Sequence, residues 1–169
     1  MTSTKSTRTL HKVLAFDPGY ERLGAAVIEK NGKERLLYSD CIRTSATVPF
    51  AQRLSILGKE VEKLIKKFKP DAVALEEVYF EKNAKTAMQI AEVRGMLTYI
   101  AASHNISISH FTPLQVKVAI TGYGKSDKKA VEHMVTRLLP LPPRKRLDDE
   151  LDAIAVGLTY MAASRYPHR

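Results

Sequence analysis

One cysteine, Cys41, is all the thiol that the 169 residues contain. A lone cysteine cannot close an intramolecular disulfide, so a reducing compartment is expected. No apolar run approaches the ~20 residues of a membrane-spanning helix. The first nine residues, MTSTKSTRT, lack the apolar block of a secretion signal. Residues 1–10 are expected to be a disordered tail, and the protein to be cytoplasmic. Acids are in short supply too: 18 Asp and Glu face 27 Lys and Arg, leaving a net charge of +9. Such an excess points to a polyanionic partner, because every phosphate neutralised releases condensed counterions.

What is present fits one globular domain over residues 11–169, with 44% apolar residues. Residues 12–16 form a short apolar run ending in the turn Asp17-Pro18-Gly19. Residues 24–28 form a second, followed by Asn31-Gly32, a strong hairpin signal, and residues 36–42 read as the return strand. The period then changes: Leu54, Leu57, Val61, Leu64, Ile65 and Phe68 fall at helical spacing, and Pro70 closes that helix. Residues 72–75 read as a buried strand, 83–104 as a long helix and 106–111 as a fifth strand. Thr112-Pro113 opens another helix. A Gly-rich basic stretch, residues 122–129, precedes a helix over 130–139, and the last helix spans 148–165. The order β-β-β-α-β-α-β-α-α-α predicts an α/β domain with a mixed sheet.

Two of the buried strands end in an acid, Asp17 and Glu76. Sites in open α/β sheets form at the carboxyl ends of strands, so these two meet if their strands are parallel neighbours. The last helix adds Asp149 and Asp152, three apart and therefore on one face. Four carboxylates from three elements repel one another strongly unless cations join them. Oxygen donors suit magnesium, and a pair of such ions makes a phosphodiester-cutting site. Each part also has a plainer reading. Asp17-Pro18-Gly19 is also a common turn, Glu76 and Glu77 are also ordinary loop acids, and residues 148–152 could simply cap a helix. Arg144 and Arg146, between prolines, either touch phosphate or shape a loop. His104, His110 and His133 lack ligand spacing, and Cys41 is expected to be buried.

These residues together resemble the RuvC family of Holliday junction resolvases. The matching segments, in order, are FDPGYERLGAAVIE, DCIRT, PDAVALEEVYFEKNAKTA, the pair Arg94-Gly95, QVKVAITGYGKSDKKAVEHMV and DDELDAIAVGL. The resemblance implies a ribonuclease H-like fold with a five-stranded mixed sheet flanked by helices. It also implies a homodimer that nicks two symmetric strands of a four-way DNA junction, leaving 5′-phosphate and 3′-hydroxyl ends. It places two Mg²⁺, replaceable by Mn²⁺, on Asp17, Glu76, Asp149 and Asp152, with Lys117 and Lys128 near the scissile phosphate. Tyr79 takes the place of an aromatic at the branch point, where the family more often has Phe. Lys82, Lys85, Lys125 and Lys129, in the same segments, are expected to contact DNA. A branch-migration motor is the implied protein partner.

Three rivals share parts of this pattern. A nuclease for ribosomal RNA precursors would have the opening Asp-x-Gly strand, but QVK and GYGKSDKK fit it less well. A sugar-kinase or actin-like ATPase needs two such domains, for which the chain is too short. A junction-binding protein without catalysis is disfavoured by the presence of all four acids. In the dimer, the helix over 83–104 is the expected interface, through Ala87, Ile90, Ala91, Gly95 and Leu97.

Overall fold

The computed structural model describes residues 11–77 and 84–164, with only the backbone for Ala84 and Lys85. Its elements follow the expected order: β1 (His11–Asp17), β2 (Arg22–Asn31), β3 (Lys33–Arg43), α1 (Phe50–Phe68), β4 (Ala72–Glu76), α2 (Ala84–Ser103), β5 (Ser107–Phe111), α3 (Pro113–Thr121), α4 (Lys128–Leu138) and α5 (Asp148–Ala163). The sheet runs β3-β2-β1-β4-β5. β1, β2 and β3 pair antiparallel, while β1–β4 and β4–β5 are parallel, giving the expected mixed sheet. The β2–β3 turn passes through Gly32 at φ +80°, a backbone setting that glycine adopts without strain. Further along, Val27 faces Tyr38 but Ile28 faces Leu36, so Leu37 is the extra residue of a bulge.

Strand alternation sorts the core into two layers. Leu14, Phe16, Leu23, Val27, Val73 and Leu75 point to one face, under Leu57, Val61 and Leu64 of α1 and Val93, Leu97 and Ile100 of α2. Val13, Ala15, Ala26, Ile28, Ala72 and Ala74 point to the other, against α3, α4 and α5. Leu97 is therefore a core residue, 1% exposed, and is removed from the interface set; Ala91 and Gly95 are exposed.

Local signals start and stop the helices. Lys69, in the left-handed region at φ 48°, ends α1, with its N–H bonded to Ile65 O at 2.8 Å. Thr112 and Gln115 close a capping box on α3. Asp127 caps α4 by accepting from Ala130 N at 2.8 Å, so this helix begins at Lys128 rather than 130. Lys128 and Lys129 thus belong to its first turn and not to the Gly-rich loop.

α5 lies unusually close to the sheet because two glycines permit it. A Cβ on Gly24 of β2 would sit 1.9 Å from the Asp149 carbonyl oxygen and 3.3 Å from Ala153 Cβ. One on Gly157 would sit 2.8 Å from Ile28 Cδ1. At Gly24, where the clash is with backbone, only bare backbone fits; at Gly157 the Ile28 side chain would have to give.

Candidate active site

Phe16 and Leu75 are register partners across the parallel β1–β4 pair, so Asp17 and Glu76 follow side by side at the carboxyl edge. By alternation both belong to the face covered by α5. Asp17 also pairs with Gly24, over which the first turn of α5 lies, and this brings Asp149 and Asp152 to the same edge. Leu147, not an acid, occupies the helix cap and makes no side-chain cap bond. Asp149 and Asp152 are therefore not explained as capping groups.

The carboxylates act on one another's charge. Burial, then repulsion from Glu76, Asp152 and Asp149, pushes Asp17 up to about 8, against the pull of Lys128. Burial and Asp152 push Glu76 up to about 7, opposed by Lys128 and Lys117. Asp152 is also raised, by burial first and by Asp149 and Asp148, although the Lys128 hydrogen bond and charge hold it down. Burial lowers the Lys128 ammonium, but its bond to Asp152 and the charges of Asp152 and Asp148 raise it overall.

Lys128 Nζ donates to Asp152 Oδ2 at 3.1 Å and lies 3.4 Å from Asp148 Oδ2. A lysine in the first turn opposes the helix dipole, a cost that these two acids offset. Lys117 of α3 lies across from it. A cleft of about 190 Å³ is lined by both lysines, Glu76 and Asp152, with Val116, Val131 and Ala155 as its apolar walls. Asp17 and Asp149 lie outside that lining, toward β2.

The donor set suits a hard cation. All candidate ligands are carboxylate oxygens, two of the groups are driven toward protonation, and Asp149 Oδ2 is buried with no hydrogen-bond partner among the described residues. Among the described residues no group of three acid, histidine or cysteine side chains is placed to hold a metal ion as it stands.

Arg22 and Arg53 gave no sequence signal of their role. Arg22 Nε lies 3.4 Å from Asp149 Oδ2. Arg53 of α1, 5% exposed, steadies the loop after Asp17: its Nε donates to Thr44 Oγ1, its Nη2 donates to Tyr20 O, and its guanidinium lies 4.9 Å from the Tyr20 ring centre. Arg144 grips the buried Glu150 with both terminal nitrogens and also donates to Ser39 O. Arg146 Nε lies 3.2 Å from the same carboxylate. These two arginines therefore shape the loop before α5, which decides between the two readings of the pair. The acidic run DDELD could have flagged Asp148, and a glycine inside an apolar strand could have flagged Gly24.

Of the remaining expectations, Lys125 and Lys129 are exposed and outside the cleft lining. Tyr79 and Lys82 lie outside the described residues, as does the Lys85 side chain. His104, His110 and His133 are exposed, and Cys41 is buried.

Acids thus converge at adjacent strand ends, beside lysines in one cleft, on a five-stranded mixed sheet flanked by helices. The chain belongs to the RuvC family: the family model described as crossover junction endodeoxyribonuclease RuvC matches residues 13–160. The RuvC of Ruminiclostridium cellulolyticum is 41% identical over 149 residues, 88% of this chain and 90% of that protein. The structure of Thermus thermophilus RuvC in complex with Holliday junction substrate matches with a TM-score of 0.87 at 30% identity, covering 92% of this chain and 95% of that one. The yeast mitochondrial Holliday junction resolvase Ydc2, at 12% identity and a TM-score of 0.69 over 90% of this chain and 78% of that one, shares the fold alone. Nucleases of the family depend on a divalent metal. No described helix is long and apolar enough to cross a membrane.

Proposed function

We propose that this chain resolves four-way DNA junctions as a cytoplasmic homodimer, nicking two symmetric strands with Mg²⁺ and leaving 5′-phosphate and 3′-hydroxyl ends. The observation that carries the reading is the convergence of Asp17, Glu76, Asp149 and Asp152, from three elements, beside Lys117 and Lys128. Asp17, Glu76, Asp149 and Asp152 would hold two Mg²⁺, or Mn²⁺ in its place. When bound, such ions supply an activated water and stabilise the departing 3′ oxygen. Lys128 turns from Asp148 and Asp152 to the phosphate, and Lys117 meets that phosphate from α3, each placing an ammonium where negative charge develops. Val116, Val131 and Ala155 form the apolar wall of that side of the cleft.

Tyr79 is assigned to stacking on an unpaired base at the crossover, an interaction worth about 1–3 kcal/mol. Lys82, Lys85, Lys125 and Lys129 are assigned to the DNA backbone. Two incisions require two sites related by a two-fold axis. α2 offers the surface for pairing: Met88, Ala91, Gly95 and Tyr99 form an exposed stripe at helical spacing, with Met88 66% and Tyr99 73% exposed. A branch-migration motor is the proposed protein partner, on the resemblance of the sequence alone.

The test is cleavage of a synthetic four-way junction in Mg²⁺, with linear duplex and RNA as controls, alongside sedimentation of the complex. Paired symmetric nicks made by a two-protomer complex are expected. Equal cutting of the linear duplex, or both nicks from one protomer, would overturn the reading.

A further inference from the structure

The carboxyl edge of the sheet carries a row of charged positions on the α5 face. Arg43 of β3 pairs with Arg22 of β2, Asp17 of β1 pairs with Gly24 two residues along, and Glu76 of β4 completes the row. Neighbouring strands are about 4.8 Å apart and each residue advances about 3.3 Å, so with the two-residue offset the arginine Cα atoms lie roughly 8 and 12 Å from that of Asp17. Lys117 and Lys128 bound the acids on the opposite side, toward α3 and α4.

The fold holds Arg43 through a side-chain hydrogen bond to Cys41 but asks little of Arg22. Like charges directly opposite each other weaken a sheet, and both side chains are exposed. Arg22 keeps 56% of its side chain in solvent and meets Asp149 only through Nε at 3.4 Å. That contact leaves Asp149 Oδ2 without a hydrogen bond. An arginine serving structure in this protein behaves differently: Arg144 engages Glu150 through two nitrogens and the Ser39 carbonyl as well. Arg22 keeps its planar fork of terminal nitrogens available, and that fork matches the geometry of a phosphate.

We infer that Arg22 and Arg43 form a phosphate-binding track on the β2–β3 side of the acid cluster. It grips the DNA backbone beyond the phosphate addressed by Lys117 and Lys128, and Arg22 exchanges Asp149 for phosphate as DNA binds. The inference rests on the junction-cutting reading and adds the path of the strand across the site.

Junction binding by the full chain in EDTA, measured by fluorescence anisotropy across a salt series, tests it without cleavage. Arg22→Gln and Arg43→Gln are each expected to weaken binding roughly tenfold and to lower the slope of log K against log salt by about 0.9; the double variant should lower it by about twice that. Arg22→Lys, which keeps the charge, should retain the slope. Wild-type affinity and slope in both Gln variants would overturn the track, as would weaker binding with an unchanged slope and a lowered melting temperature. A wild-type chain that prefers no junction over linear duplex would instead sink the junction reading itself.

Discussion

The two faces of the sheet are built from alternate residues of the same strands, yet they are packed in opposite ways. Toward α1 and α2 the strands present Leu14, Phe16, Leu23, Val73 and Leu75, large side chains that hold the helices away and fill the space between. Toward α5 they present Ala15, Gly24, Ala26, Ala72 and Ala74, and α5 answers with Ala153, Ala155 and Gly157. Small residues bring that helix close enough for its acids to join those at the strand ends. Both faces bury apolar side chains, the second including Val13, Ile28, Val135, Ile154 and Met161, but only the second also brings repelling charges together. The chemistry is thus confined to one face, carried by alternate positions of each strand.

The sharpest way to break the second face is to neutralise its acids. Asp17→Asn, Glu76→Gln, Asp149→Asn or Asp152→Asn should each slow junction cutting by roughly 10²-fold or more, the loss of several kcal/mol of charge stabilisation. Junction affinity should hold or tighten, since a negative charge facing phosphate is gone. Near-normal turnover in a variant would remove that residue from the site. The first face breaks differently. Phe16→Ala should cost about 3–5 kcal/mol in denaturant unfolding, while the folded fraction cuts at close to the wild-type rate. A matching loss of specific activity would show that the two faces are not separable.

Gly24→Ala probes the contact between the layers. The added methyl meets the Asp149 carbonyl at 1.9 Å, so α5 must shift outward. A stability loss of about 1–3 kcal/mol is expected, with a larger fall in kcat than the same loss produces from Leu14→Ala. Equal effects of the two variants on kcat would refute a role for close approach.

The smallest effect is on pH dependence. Asp17 rises from 3.8 to about 8 and Glu76 from 4.5 to about 7, so the folded chain holds protons that the unfolded chain releases. Their contribution is therefore full below the unfolded values and declines as pH rises through 7 and 8. Melting temperature in EDTA should fall from about pH 5 to about pH 8, and Asp17→Asn should flatten that slope. A melting temperature that climbs across the window in the wild type would contradict the buried acid cluster.

Much of this organisation was legible in the sequence. Apolar periodicity gave the order of elements, Asn31-Gly32 gave the hairpin, and strand-terminal acids gave Asp17 and Glu76, because each signal is local along the chain. The start of α4 was obscured because Asp127, its cap, sits inside a Gly-rich basic stretch that reads as loop. Leu97 was misplaced because the apolar residues of α2 surround the helix, leaving the sequence unable to say which stripe meets α1. Arg22, Arg53 and Glu150 depend on side chains reaching across elements, and no spacing rule reports that.

The bracket of Ser39, Arg144, Arg146 and Glu150 has a consequence for how the chain can change over generations. Glu150 is 2% exposed and Arg146 nearly as covered, so losing Glu150 alone strands a desolvated arginine, at about 3–5 kcal/mol. Replacing the whole set by apolar residues costs far less, but no single substitution leads there. These positions should therefore drift together among descendants of this sequence, and the stretch preceding α5, which looks like a tolerant proline loop, should accept few isolated changes.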